Sequence, residues 1–125
     1  MKDEMYRRGL ELFNRREFYE CHEVLEELWF AEAGPAKRFY QGIIQLAVAF
    51  YHHENGNPRG ALKLLERGLG HLTPYAPVYD GLNLQALLPE LGAWRPYLQG
   101  QIAGQHASPD RPPPILRWED DFLSE

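Results

Sequence analysis

Apolar residues recur at helical spacing from the start of the chain to Leu72. Met5, Gly9, Leu10, Leu12 and Phe13 place one helical face over about residues 3–14, with Asp3 positioned to cap it. Phe18, Cys21, Leu25, Leu28 and Trp29 form the stripe of a second helix, about 17–33, which Gly34-Pro35 ends. A third helix, about 36–54, differs in kind. Phe39, Ile43, Leu46, Ala47 and Phe50 share one side, while Tyr40, Ile44, Val48 and Tyr51 leave little polar surface opposite. A helix that is apolar nearly all round is covered on several sides, so this one is predicted to be central.

Glu54-Asn55-Gly56-Asn57-Pro58 reads as a stop followed by a start. Gly56 suits the left-handed conformation after a helix end, Asn57 suits an N-cap and Pro58 a first helical position. The fourth helix then runs to about Leu72 with Ala61, Leu64, Leu65 and Gly68 inward. Gly60 and Gly68 each weaken an isolated helix by about 1 kcal/mol relative to Ala, which predicts close packing where they lie. Eight of the ten prolines fall beyond Leu72. Only short helices are therefore expected there, around 82–88 and 94–103. Ser108 to Pro114 is predicted to be extended, with Ile115, Leu116 and Trp118 docked on the helices.

Composition supports the same class. Leu occurs 18 times against eight for Val, Ile and Thr together, and straight or γ-branched side chains favour helix where β-branched ones favour strand. The expected fold is all-α: two helical hairpins with tetratricopeptide-like pairing, short helices and a proline-rich C-terminal segment. The two halves echo one another about 40 positions apart, longer than the ~34 residues of a regular tetratricopeptide repeat and too few for an array. Length fits a single helical domain over 1–125, with its core at 3–72 and the short helices and tail at 73–125.

A formal charge of -5 opposes nucleic-acid binding, which needs a basic face to displace counterions from phosphate. One cysteine gives no disulfide framework and fits a reducing compartment. The stretch Gly42 to Tyr51 is too short to span a bilayer, and Met1-Lys2-Asp3-Glu4 does not resemble a signal peptide. These features predict a cytoplasmic protein, with no membrane or nucleic-acid partner.

Candidate chemistry lies on the second and third helices. At 100° per residue His22 and Glu26 border the apolar stripe beside Trp29. Gln41, Gln45 and His52 fall in one narrow sector of the central helix. A buried amide without a partner costs about 1–3 kcal/mol, so the glutamines require something to bond. The expectation is a polar pocket between these helices lined by His22, Glu26, Trp29, Gln41 and Gln45, with His52 towards one end, and His22 and Gln45 in reach of each other or of one shared water. His22-Glu23-x-x-Glu26 also invites comparison with the HExxH helix of zinc proteases. Its fifth position is Glu rather than His, so one nitrogen ligand is missing and no cofactor is predicted, although a divalent metal could still use His22, Glu26 and a water. Cys21 faces the core, where a thiol is usually inert packing.

Phe13-Asn14, the run Phe18-Tyr19-Glu20-Cys21-His22-Glu23-Val24-Leu25-Glu26-Glu27-Leu28-Trp29, Gln41-Gly42-Ile43-Ile44-Gln45-Leu46-Ala47 and Gly56-Asn57-Pro58-Arg59-Gly60-Ala61 together resemble the family called domain of unknown function 309. Tyr79-Asp80-Gly81-Leu82 is similar to its shorter C-terminal element, and the likeness extends over roughly residues 5 to 98. The resemblance implies a small all-helical fold and no established activity. It singles out His22, Glu23, Glu26, Trp29, Gln41, Gly42, Gln45, Gly56, Asn57, Gly60 and Ala61.

Two functional expectations follow. The first is a non-catalytic helical binding module for a protein or small ligand, with homo-oligomers compatible with the sequence. The alternative is a small metal-dependent or hydrolase-like enzyme centred on His22 and Glu26.

Overall fold

The computed structural model describes residues 2–105 and 111–117. Five helices follow one another: α1 (Lys2–Asn14), α2 (Phe18–Ala31), α3 (Ala36–Glu54), α4 (Pro58–Leu72) and α5 (Leu84–Ile102). Between α4 and α5 lie a 3-10 turn at Thr73–Tyr75 and a minimal hairpin of β1 (Val78–Tyr79) and β2 (Leu82–Asn83). Successive helices pack on one another, α1 on α2, α2 on α3, α3 on α4 and α4 on α5. The fold is all-α and compact, with α3 at its centre as its composition predicts.

Two aromatic clusters fill the ends of the core. Phe13 of α1, Phe18 of α2 and Phe50 of α3 meet with ring centroids 5.1–5.8 Å apart, and Phe50 also abuts Trp94 of α5 at 5.0 Å. At the other end Phe39 touches Tyr6, Tyr75 and Tyr79. Phe18 opens α2 and Phe50 lies near the end of α3, so these helices run antiparallel.

Gly68 lets α3 and α4 approach closely. A Cβ there would stand 2.8 Å from Leu46 Cδ2 and 3.1 Å from the Gly42 carbonyl oxygen. The turn between these helices follows its sequence signature. Gly56 has φ +72°, and Asn57 Oδ1 accepts from the Gly60 N–H at 3.0 Å. Asn57→Ala is therefore expected to cost about 1 kcal/mol through loss of the cap. Gly56→Val should cost more, because a β-branched residue resists positive φ. Thermal melts of the two variants check both values; unchanged melts would contradict the turn.

Asp3 lies inside the first turn of α1, not at its cap, because the helix starts at Lys2. The larger correction concerns the region after Leu72. One helix of 19 residues replaces the two short ones expected, although Pro89 and Pro96 lie within it. Both prolines are exposed and stand seven positions apart on the outer face, whereas Leu84, Leu87, Leu91, Trp94 and Leu98 are buried. The carbonyls they deprive of donors, on Gln85 and Gly92, sit on that same outer stripe, where a helix can bend convexly towards water. The start of α5 is well satisfied. Asn83 Oδ1 accepts from the Ala86 N–H, and the Pro77 carbonyl accepts from the N–H groups of Leu84 and Gln85.

The hairpin also departs from the strand-free expectation. Asp80 and Gly81 both have positive φ, the conformation of a two-residue hairpin turn, and an Asp-Gly pair favours it. Residues 111–117 form no helix or strand, and Leu116 is buried while Ile115 is exposed. Asn14 clamps this segment like a strand partner. Its Oδ1 accepts from the Leu116 N–H at 2.8 Å and its Nδ2 donates to the Leu116 carbonyl at 3.0 Å. Ser108 and Trp118 lie outside the described residues.

Candidate functional site

The residues singled out on α2 and α3 divide among several neighbourhoods. His22 is 24% exposed, and its Nδ1–H donates to the Tyr19 carbonyl at 3.1 Å. Its Nε2 lies 3.5 Å from Glu26 Oε2, and Glu26 is 58% exposed. This is an i, i+4 contact along one helix, at the margin where the spacing places it. The His22 ring also lies beside Tyr19, which in turn meets Tyr51 of α3.

Gln45 finds its partner on the other side of the central helix. Its Oε1 accepts from His71 Nδ1 of α4 at 2.7 Å, and the same nitrogen lies 3.1 Å from the Arg67 carbonyl. The amide's need for a partner is met, but by α4 rather than by His22. His52 stands 3.4 Å from Asn57 Nδ2 beside the α3–α4 turn. His71 was not among the sequence candidates. Its position in the last turn of α4, where a basic side chain suits the helix end, was the available signal.

Trp29 and Gln41 do come together. They line a cavity of about 420 Å³ with Gly34, Pro35, Lys37, Arg38 and Tyr75. The connection between α2 and α3 forms its wall and is firmly held. Lys37 Nζ donates to the carbonyls of Trp29 at 2.8 Å and Glu32 at 3.2 Å, and sits 4.1 Å from the centroid of the Trp29 ring. The Tyr75 hydroxyl donates to the Pro35 carbonyl at 2.6 Å. The Trp29 indole N–H is buried and has no acceptor among the described residues.

Glu26 belongs to a second concavity, a groove of about 520 Å³ between α1 and α2 lined by Met5, Glu23, Glu26, Glu27 and Phe30. The four α2 residues follow i, i+3, i+4, i+7 spacing, so they form one stripe. Phe30 is 81% exposed within it.

Cys21 is fully buried on the opposite side of α2, and burial pushes its thiol up to about 12. Below the ordinary value of 9.0 both folded and unfolded thiols keep their proton, so the contribution to stability is intact. Between 9.0 and about 12 only the unfolded thiol ionises, and stability falls as pH rises. The slope is up to about 1.4 kcal/mol per pH unit. Urea melts at about pH 8 and about pH 10.5 should show a smaller pH loss for Cys21→Ala than for the wild type. Equal losses would contradict the buried thiol.

Among the described residues no group of three or more His, Cys, Asp or Glu side chains is gathered as a metal site. No helix is long and apolar enough to cross a membrane.

Residues 6–64 match the family described as Domain of unknown function (DUF309). This segment belongs to that family. The match covers α1 from Tyr6 onward, α2, α3 and the first half of α4, and ends short of the Tyr79-Asp80-Gly81-Leu82 element. The chain is similar to the uncharacterized protein YpuF of Bacillus subtilis (strain 168), with 45% identity over 77 residues, covering 60% of this chain and 44% of YpuF. It is also similar to an uncharacterized protein of Aquifex aeolicus (strain VF5), with 30% identity over 73 residues, covering 58% of this chain and 22% of that protein. The chain thus spans less than half the length of either relative. The DUF309 segment contains His22, Glu26, Trp29, Gln41, Gln45 and His52, the α2 side of the groove and most of the cavity lining; Met5 and Tyr75 lie outside it.

Proposed function

We propose that the chain is a non-catalytic helical binding module whose α1–α2 groove takes a basic amphipathic helix of a protein partner. The observation that carries this reading is Phe30, 81% exposed among Glu23, Glu26 and Glu27. A large aromatic side chain left in water is the kind of anchor that dominates binding once it is desolvated. Three carboxylates on the same stripe would favour Lys and Arg flanking the partner's apolar contact, and like charges would be repelled. The i, i+3, i+4, i+7 spacing suits a helix laid along the groove. In both relatives the matched segment is part of a longer chain, a setting natural to a binding module. A reducing interior such as the cytoplasm suits the lone buried thiol of Cys21.

The test uses a helical peptide with a Leu anchor flanked by Lys, titrated by fluorescence polarisation. Phe30→Ser is expected to weaken binding by about tenfold or more, the scale of a lost aromatic anchor. Binding of the wild type should also weaken as salt rises, because exposed charges are screened. Equal affinity for wild type and Phe30→Ser, or equal affinity for a peptide with Glu in place of Lys, would contradict the proposal. Self-association of the chain that Phe30→Ser abolishes would assign the groove to a second copy instead.

A further inference from the structure

We infer that the cavity at the α2–α3 connection is a binding site for a small organic anion, a compact apolar body carrying a carboxylate or phosphate head. The inference goes beyond the groove and rests on different residues. The cavity lining is rich in donors: the Lys37 ammonium, the Arg38 guanidinium and the Gln41 amide. Among the described residues no carboxylate lines it. The Glu32 carboxylate on the connecting loop accepts from the Gly34 N–H at 3.1 Å. In a chain of net charge -5, a cavity whose described lining holds two cations and no acid favours negative charge.

Lys37 gives two of its three donors to the carbonyls of Trp29 and Glu32 and sits 4.1 Å from the centroid of the Trp29 ring, which fixes the ammonium at the cavity wall. The site is also preorganised. Lys37 ties the end of α2 to the start of α3, and Tyr75 holds Pro35 from the far side of the cavity. A ligand would not have to order these elements, which lowers the cost of binding. The rings of Trp29 and Tyr75 and the ring of Pro35 supply apolar walls. A volume of about 420 Å³ exceeds what a bare inorganic ion fills and falls in the usual range of small-molecule sites.

Titration of the ¹⁵N-labelled full chain with phenyl phosphate, with benzoate and with uncharged benzyl alcohol tests the site by NMR. The Trp29 indole resonance, assigned with Trp29→Phe, is the reporter. Saturable shifts of that resonance and of the Gln41 side-chain amide by at least one anion, and none by benzyl alcohol, are expected. The tighter anion identifies the head group. Arg38 is exposed, so Arg38→Gln should fold normally while weakening anion binding by about tenfold, as loss of a charged hydrogen bond does. Shifts that do not saturate, that match those of benzyl alcohol, or that persist unchanged in Arg38→Gln would overturn the inference. The groove is scored separately by the Lys-bearing peptide, so either site can fail alone.

Discussion

Phe50→Ala lowers the unfolding free energy by about 3–5 kcal/mol, among the largest effects expected of a single side-chain truncation in this core. Phe50 is buried where α1, α2, α3 and α5 converge, touching Phe13, Phe18 and Trp94. Truncation removes the transfer energy of a ring and opens a cavity whose walls are themselves aromatic and poorly able to collapse. The edge-on contacts with Phe13 and Trp94 are lost as well. Because small domains are stable by only about 5–15 kcal/mol, the variant should melt far below the wild type. Urea denaturation followed by circular dichroism measures the loss. A change below about 1 kcal/mol would mean that the four elements do not meet at this residue.

Gly68→Val is the second large effect, and its sign runs against local preference. Replacing a helix-interior glycine normally stabilises the helix by a few tenths of a kcal/mol or more. Here the added Cβ would meet Leu46 Cδ2 at 2.8 Å and the backbone oxygen of Gly42 at 3.1 Å, and valine adds two methyl groups beyond it. The backbone contact cannot rotate away, so α3 and α4 must separate. Overpacking of this kind costs about 1–3 kcal/mol, and the lost interhelical contact adds to it. Gly70 is the internal control. It is exposed, and a Cβ there meets nothing within 4 Å, so Gly70→Ala should stabilise by about 0.5–1 kcal/mol. Melts in which both variants move in the same direction would contradict the close α3–α4 approach.

The first four helices were readable because their apolar positions repeat cleanly and their boundaries carry local chemistry. Asn57 and Gly56 act within a few residues of themselves, so sequence suffices to assign them. The region after Leu72 was harder for a definite reason. Proline count argues against a long helix, but Pro89 and Pro96 are spaced to share the water-facing side of α5 while the leucines opposite remain in register. Proline position, not number, decides the outcome. The Asp80-Gly81 turn carried a standard hairpin signal in a stretch otherwise read for helices.

Polar pairing was legible only in part. That Gln45 needs a partner follows from its place on a buried helix. Whether α2 or α4 provides it depends on how the helices cross, which no local pattern encodes, and His71 supplies it. The Asn14 clamp on Leu116 joins residues 102 positions apart and lies beyond any periodicity argument. Trp29 and Gln41 both line the cavity at the α2–α3 connection. The groove leaves no periodic signature, because Glu23 and Glu27 lie on the water-facing side of α2 and Phe30 is a single exposed aromatic beside them.

The binding-module account is tested most directly by chemical-shift mapping of the ¹⁵N-labelled chain with the Leu-anchored, Lys-bearing helical peptide. The account predicts saturable shifts concentrated on Met5, Glu23, Glu26, Glu27 and Phe30, while the α4–α5 surface stays unmoved. Shifts scattered evenly over the acidic surface, or centred away from Phe30, would contradict it.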